Sequence, residues 1–322
     1  MTSTDHAPAP RFIQLYREDS TAIRHELIAG LTARPAHTSP KYLYDALGSR
    51  LFEAITELPE YYPTRTEAAI FAASARDMAS HLSPGATLVD LGAGNCAKAA
   101  RLFEVLQPAR YVAVDISVEF LGHALASLQR QHPALEMLGV GMDFSSSLAL
   151  PPEVGPGPRI LFYPGSSIGN FTPAEALAFL RQAHAACAGG SLIIGVDLVK
   201  DKTIVEPAYD DPLKVTAAFN RNMLLHINAL VGSDFRLDDW AHRAFFNQHE
   251  SRIEMHLVTD DAVTVRWPAG EREFAAGETI HTENSYKWRV ADFASLLEEA
   301  GFRQARHWQD QRGWFAVFVA QA

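Results

Sequence analysis

The stretch Leu88-Val89-Asp90-Leu91-Gly92-Ala93-Gly94-Asn95 constrains this chain more than any other. Residues 87–91 form a short apolar run that ends in glycine, which reads as a buried strand. Residues 96–106 read as the helix that follows. Glycines at such a turn let the backbone approach a ligand closely. In an open α/β sheet the turn lies at the carboxyl ends of the strands, where ligands bind.

The alternation continues on both sides. Residues 111–115, 138–140, 159–163 and 192–197 read as strands, and 118–131 and 173–186 as helices. This pattern predicts an α/β fold, a doubly wound Rossmann-like sheet covered on both faces. Upstream, 20–31 and 41–56 have amphipathic periodicity. The Tyr61-Tyr62-Pro63-Thr64 stretch reads as a break, because the residue before proline avoids the α region. A helix is expected to resume over 66–80.

Downstream, 201–286 interrupts the alternation with a polar loop, a helix over 215–230 and β-like runs at 252–258, 262–267 and 271–274. A helix at 291–300, stopped by Gly301, and a strand at 314–320 close the chain. The expected organisation is a core of 66–200 and 287–322. A second α+β lobe comprises 11–65 and 201–286, and 1–10 is a flexible tail.

At 322 residues and 48% hydrophobic, the chain can bury a large core. A formal net charge of -10 argues against nucleic acid as the partner. Cys96 and Cys187 lack zinc-ligand spacing, so reduced thiols and no metal are expected. Residues 1–11 have no basic-then-apolar leader pattern, and no apolar run is long enough to span a bilayer. The expectation is a soluble cytoplasmic protein, monomeric, without a membrane partner.

Three features sharpen the reading of the glycine loop. Position 97 is alanine where a dinucleotide loop would carry its third glycine. Asp115 ends the next strand, where a carboxylate accepts both ribose hydroxyls. Asp143 and Phe144 follow the third strand, where the acid can meet an adenine amino group and the ring can pack on the base. A glycine turn at Gly92, a ribose acid and an adenine acid, in that order, suit S-adenosylmethionine. Asp115 is otherwise a helix cap and Asp143 an Asx-turn residue. Lys98 reads equally as a solvated lysine or as a contact to the cofactor carboxylate. A nicotinamide dehydrogenase is disfavoured by Ala97 and by the lack of a paired catalytic histidine.

The loop Gly165-Ser166-Ser167-Ile168-Gly169-Asn170 follows the fourth strand on the same sheet edge. It can hold a small polar substrate, or Asn170 and Thr172 can serve as helix caps. Glu283 and Ser285 alternate along a strand and face one side. A carboxylate and a hydroxyl together suit the two nitrogens of an imidazole, although Glu283 alone would read as a surface ion pair.

Four strings together resemble one family: Glu60-Tyr61-Tyr62-Pro63-Thr64-Arg65-Thr66-Glu67, the 165–170 loop, Phe219-Asn220-Arg221-Asn222 and Thr282-Glu283-Asn284-Ser285-Tyr286-Lys287. It is the histidine-specific S-adenosylmethionine-dependent methyltransferase family, which includes the L-histidine Nα-methyltransferases of ergothioneine biosynthesis. The resemblance runs from about residue 20 to the C-terminus.

It implies that Gly92, Lys98, Asp115, Asp143 and Phe144 bind the cofactor. Asn170 and Tyr209 would hold the histidine carboxylate, and Tyr61, Glu283 and Ser285 would surround the imidazole. Tyr44, as an orienting group, and the backbone of Gly165 would lie by the α-amine, and Met255 would line the side-chain pocket. The implied reaction is stepwise trimethylation of L-histidine to hercynine, releasing S-adenosylhomocysteine. Another amino acid such as tryptophan, a histidine derivative, or a non-catalytic cofactor-binding protein are the alternatives.

Overall fold

The computed structural model describes residues 10–15, 19–268 and 270–322. Most of the expected tail, residues 1–9, lies outside the described residues. Among the described residues the strands are β1 (Arg11–Gln14), β2 (Ala36–His37), β3 (Thr87–Leu91), β4 (Arg110–Asp115), β5 (Glu136–Gly141), β6 (Arg159–Tyr163), β7 (Ser191–Asp197), β8 (Ala241–Asn247), β9 (Arg252–Val258), β10 (Val263–Trp267), β11 (Gly270–Phe274), β12 (Thr279–Tyr286), β13 (Arg303–Gln309) and β14 (Phe315–Gln321). The α-helices are α1 (Ser20–Thr32), α2 (Ala46–Thr56), α3 (Tyr62–Ala79), α4 (Ala97–Ala100), α5 (Phe103–Leu106), α6 (Val118–Gln131), α7 (Pro173–Ala186), α8 (Lys202–Val205), α9 (Val215–Val231) and α10 (Val290–Glu299).

Eight strands form one sheet in the order β1-β5-β4-β3-β6-β7-β14-β13. The pairings from β1 to β7 are parallel, and β14 and β13 add antiparallel. Alternate residues of β3 face opposite ways, as a period of two requires. Val89 and Leu91 enter a core with Phe179 and Leu180 of α7 and Phe293 and Leu297 of α10. Leu88 enters another with Ile70 of α3, Phe103 of α5 and Leu121 and Leu125 of α6. Covered on both faces, the sheet has the expected doubly wound Rossmann-like form.

A smaller sheet, β2-β12-β9-β8, packs with α1, α2 and α9 around a third core that includes Leu27, Ile55, Phe219, Met223, Ile253 and Leu257. Backbone hydrogen bonds join the two sheets. Trp288 N–H donates to Asp197 O, and Val199 N–H donates to Trp288 O, both at 3.0 Å. The end of β12 therefore sits beside the carboxyl end of β7.

Four sequence expectations are corrected. Residues 11–14, grouped with the smaller lobe, instead pair with β5 at the edge of the main sheet. α3 starts at Tyr62, not after the proline, because a proline in a first helical turn needs no N–H partner. The 41–56 helix is interrupted: Asp45 caps α2 by accepting the Gly48 N–H at 2.7 Å. The 96–106 helix is two short ones, α4 and α5. Among the described residues no helix is long and apolar enough to cross a membrane.

Candidate active site

The residues expected to bind the cofactor lie at or just after the carboxyl ends of the adjacent strands β3, β4 and β5. After β3 the chain turns through Gly92 at φ +70° and Gly94 at φ +52°. That left-handed backbone favours glycine. Asp115, half-buried at the end of β4, accepts the Gly94 N–H at 2.9 Å on one oxygen and the Ser117 N–H at 2.8 Å on the other. Burial raises its pKa, against backbone N–H groups that lower it. Each oxygen keeps a lone pair for a further donor.

Phe144 packs edge-on to Tyr163, centroids 5.8 Å apart, and its ring lies 3.6 Å from where a Cβ at Gly92 would stand. Asp143 Oδ1 accepts the Ser145 N–H at 3.1 Å, so the Asx turn is present, while Oδ2 lies 4.0 Å from Lys41 Nζ. Lys98 is partly exposed but ion-paired. Its ammonium lies 2.8 Å from Glu67 Oε2, a buried carboxylate whose other oxygen accepts the Gly165 N–H at 2.7 Å.

Tyr44, Tyr61, Gly165, Asn170, Tyr209, Met255, Glu283 and Ser285 all line one cavity, with Phe52, Ile55, Phe219 and others. It encloses about 490 Å³ of empty space, part of it open to solvent. Local rules place each lining group. Thr172 takes the N-cap of α7 in a capping box with Glu175, which leaves Asn170 to Glu283. Arg65 donates to the carbonyls of Leu58, Pro59 and Tyr61 and so fixes the turn carrying Tyr61. Asn222 of α9 donates to Asp45 at 2.8 Å, tying α9 to the turn that carries Tyr44. Glu283 and Met255 are direct partners across β12 and β9.

The two expected subsites are not separate. Asn170 Nδ2 donates to Glu283 Oε1 at 3.1 Å, and Tyr209 and Ser285 hydroxyls are 2.7 Å apart. Each residue expected at the carboxylate is bonded to one expected at the imidazole. Burial raises the Glu283 carboxyl to about 7, against Lys287 and Asn170, which lower it. Burial also raises the pKa of Tyr44, Tyr61 and Tyr209 far above the ordinary phenol value, so each stays a neutral hydroxyl.

Behind the cavity lies a charged cluster that sequence reasoning missed. Asp197 meets Lys287 at 2.8 Å and Lys200 at 2.5 Å, and it accepts the Tyr62 hydroxyl at 2.7 Å. Burial pushes the Asp197 carboxyl up, but the ammonium groups of Lys287 and then Lys200 outweigh it and hold it below the usual range. Away from this site, Glu254, His256 and His281 form a three-residue group with metal-ligand chemistry, atoms within 4.8 Å of one another. Glu254 there is already held by Arg252 at 2.8 Å and Asn247 at 2.9 Å.

A family model described as histidine-specific methyltransferase, SAM-dependent, matches residues 23–322. The chain belongs to this histidine-specific methyltransferase family. It is 42% identical over 307 residues to a histidine N-alpha-methyltransferase of Mycolicibacterium smegmatis, covering 93% of this chain and 94% of that one. It is 40% identical, with the same coverage, to a histidine N-alpha-methyltransferase of Mycobacterium tuberculosis. It is 31% identical to ergothioneine biosynthesis protein 1 of Neurospora crassa, covering 83% of this chain and 31% of that longer protein.

For this histidine-specific methyltransferase, some of the missed residues had a signal, while Asp197 and Lys200 lie outside every string. Glu67, Tyr62, Phe219 and Lys287 all stand inside the strings that carry the resemblance. Their spacing gave no reason to single them out, because each contacts partners far away in the chain.

Proposed function

We propose that this methyltransferase acts on the α-amine of L-histidine, adding methyl groups in turn to give Nα-trimethylhistidine. One observation carries the substrate reading: Glu283, Asn170, Tyr209 and Ser285 converge on one cavity beside the Gly165 loop. An imidazole needs partners for two ring nitrogens when buried, and this wall supplies a carboxylate and hydroxyls.

Gly92, Asp115, Asp143 and Phe144 fit S-adenosylmethionine. The turn at Gly92 and Gly94 leaves the backbone uncrowded, and Asp115 keeps lone pairs for a ribose diol. When bound, the sulfonium supplies an electrophilic methyl. Lys98 stands between the cofactor turn and Gly165, anchored on Glu67. The protein's work is alignment and exclusion of water. Tyr44, with its rim of Phe52 and Phe219, orients the amine. As a neutral phenol it holds a hydrogen bond and does not take the amine proton. The smaller sheet with α1, α2 and α9 serves as the substrate lobe and closes over the site. We further infer a cytoplasmic location, consistent with two buried free cysteines, Cys96 and Cys187, and a monomer.

The test is incubation with S-adenosylmethionine and a panel of amino acids, followed by mass spectrometry. Histidine should gain one, two and three methyl groups in succession. No gain on histidine, or a gain confined to tryptophan or another amino acid, overturns the substrate assignment.

A further inference from the structure

Lys287 is buried directly behind the cavity wall, and its position controls what that wall can offer a ligand. Its ammonium meets Asp197 Oδ2 at 2.8 Å, Ser285 Oγ at 2.8 Å and Tyr209 Oη at 3.0 Å. An ammonium has three donors and no acceptor, so these partners saturate it. Tyr209 and Ser285 are themselves 2.7 Å apart and share one hydrogen bond. Of their two hydroxyl protons, one lies between the oxygens. The other cannot point back at Lys287, which already donates to both. The pair therefore presents one O–H donor to the cavity, whichever residue carries it. On the same strand, Glu283 presents the acceptor, braced by Asn170.

The charges around this wall balance when Glu283 is ionised. Glu283 and Lys287 come from β12 and the residue after it, Asp197 from the end of β7, and Lys200 from the loop beyond, 2.5 Å from Asp197. With Glu283 ionised, two acids face two ammonium groups; once Glu283 takes up its proton, near pH 7 and below, the set carries one excess positive charge. Tyr44, Tyr61, Tyr62 and Tyr209 face the same groups as neutral phenols. Glu67 and Lys98, beside Gly165, form a second balanced pair. A neutral ring adds no charge to this buried set. A cationic ring adds an uncompensated charge, which a buried site disfavours strongly.

We propose that Lys287, held on Asp197, is a specificity-determining residue that makes the Tyr209–Ser285 pair a single hydroxyl donor, so that the cavity selects the neutral imidazole of histidine, with one N–H and one bare nitrogen, over the imidazolium. The proposal rests on the histidine reading above.

The test is calorimetric binding to the enzyme loaded with S-adenosylhomocysteine, between about pH 5 and pH 8. The ligands are histidine and triazolylalanine, whose ring keeps an N–H and bare nitrogens but stays neutral throughout. In the wild type the histidine Kd should rise toward about tenfold per pH unit below the ring pKa of about 6.5. The triazolylalanine Kd should move only with the protein's own groups, Glu283 among them. Lys287→Met should shrink the ratio of histidine Kd between the two pH limits by about tenfold, and Lys287→Arg should keep it. Parallel curves for the two ligands in the wild type overturn the proposal, as does an unchanged ratio in the Met variant. If that variant does not fold, the two wild-type curves decide alone. A wild type that binds no histidine at any pH overturns the substrate reading and this proposal with it. Histidine binding with parallel curves overturns only this one.

Discussion

Glu67 can lie against the main sheet because residue 195 is glycine: a Cβ at Gly195 would stand 2.1 Å from Glu67 Oε1. From that position the carboxylate holds the Gly165 N–H with one oxygen and Lys98 with the other. One side chain of α3 thereby joins the loop after β6 to the first turn after the glycine loop. Gly195→Ala forces the carboxylate out of a buried, paired site. Overpacking of this kind costs about 1–3 kcal/mol. The expected result is a lower urea midpoint and a kcat reduced more than either KM. A variant with wild-type midpoint and kcat would show that Glu67 does not bridge the two loops in the working enzyme.

Asp115→Asn should weaken cofactor binding and also lower stability. Both Asp115 oxygens accept backbone N–H groups. An amide offers one oxygen, so its NH2 must face either the Gly94 or the Ser117 N–H. That clash falls on the protein itself and costs about 1–3 kcal/mol of stability; the amide also loses an acceptor facing a ribose hydroxyl, a loss of about 1–3 kcal/mol in binding, or roughly tenfold to a hundredfold in Kd. Titration with S-adenosylhomocysteine measures this directly, and an unchanged Kd would remove Asp115 from the cofactor site.

Removing the Glu283 carboxylate should damage histidine binding selectively. Glu283→Ala leaves the Asn170 amide without its partner and a bound ring N–H without an acceptor. A histidine Kd about tenfold to a hundredfold higher is expected, with S-adenosylhomocysteine affinity unaltered. Equal loss for both ligands would point to a folding defect, and no loss for histidine would end the imidazole assignment.

The same residue gives the ligand-free protein a pH signature. Burial raises Glu283 from an ordinary 4.5 to about 7. Between those values the folded state holds a proton that the unfolded state has released. Stability from this group is therefore full below pH 4.5 and is lost as pH rises toward 7. Asp90, buried and raised to about 7 with the Tyr111 hydroxyl on it, contributes with the same sign. Glu283→Gln should flatten part of this decline and leave the Asp90 part. Thermal unfolding of both proteins across the window tests it, and identical slopes would count against a raised Glu283.

Much of the fold was legible because it rests on local periodicity. β3 to β7 are apolar runs bounded by turn residues, and α6, α7 and α9 lie close to their expected positions. The misses have physical reasons. β13 is mostly exposed, so it lacks an apolar signature. β1 exists as a strand through its pairing with β5, more than a hundred residues away. Among the candidate site residues, Asp115, Glu283 and Ser285 stood out by residue type at strand positions. Glu67, Asp197 and Lys287 did not, since a buried charge is recognisable only beside its partner.

The sequence by itself determined the reaction class and the family. The glycine turn, the two acids after successive strands and four short strings are local facts, and local backbone preference and residue chemistry suffice to read them. Only the tertiary structure decided how the site is wired. Asn170 meets Glu283 across 113 residues of chain, and Tyr209 meets Ser285 across 76. Lys287 meets Asp197 because Trp288 docks β12 on the end of β7. Such pairings follow from the packing of whole sheets, and no spacing along the chain encodes them.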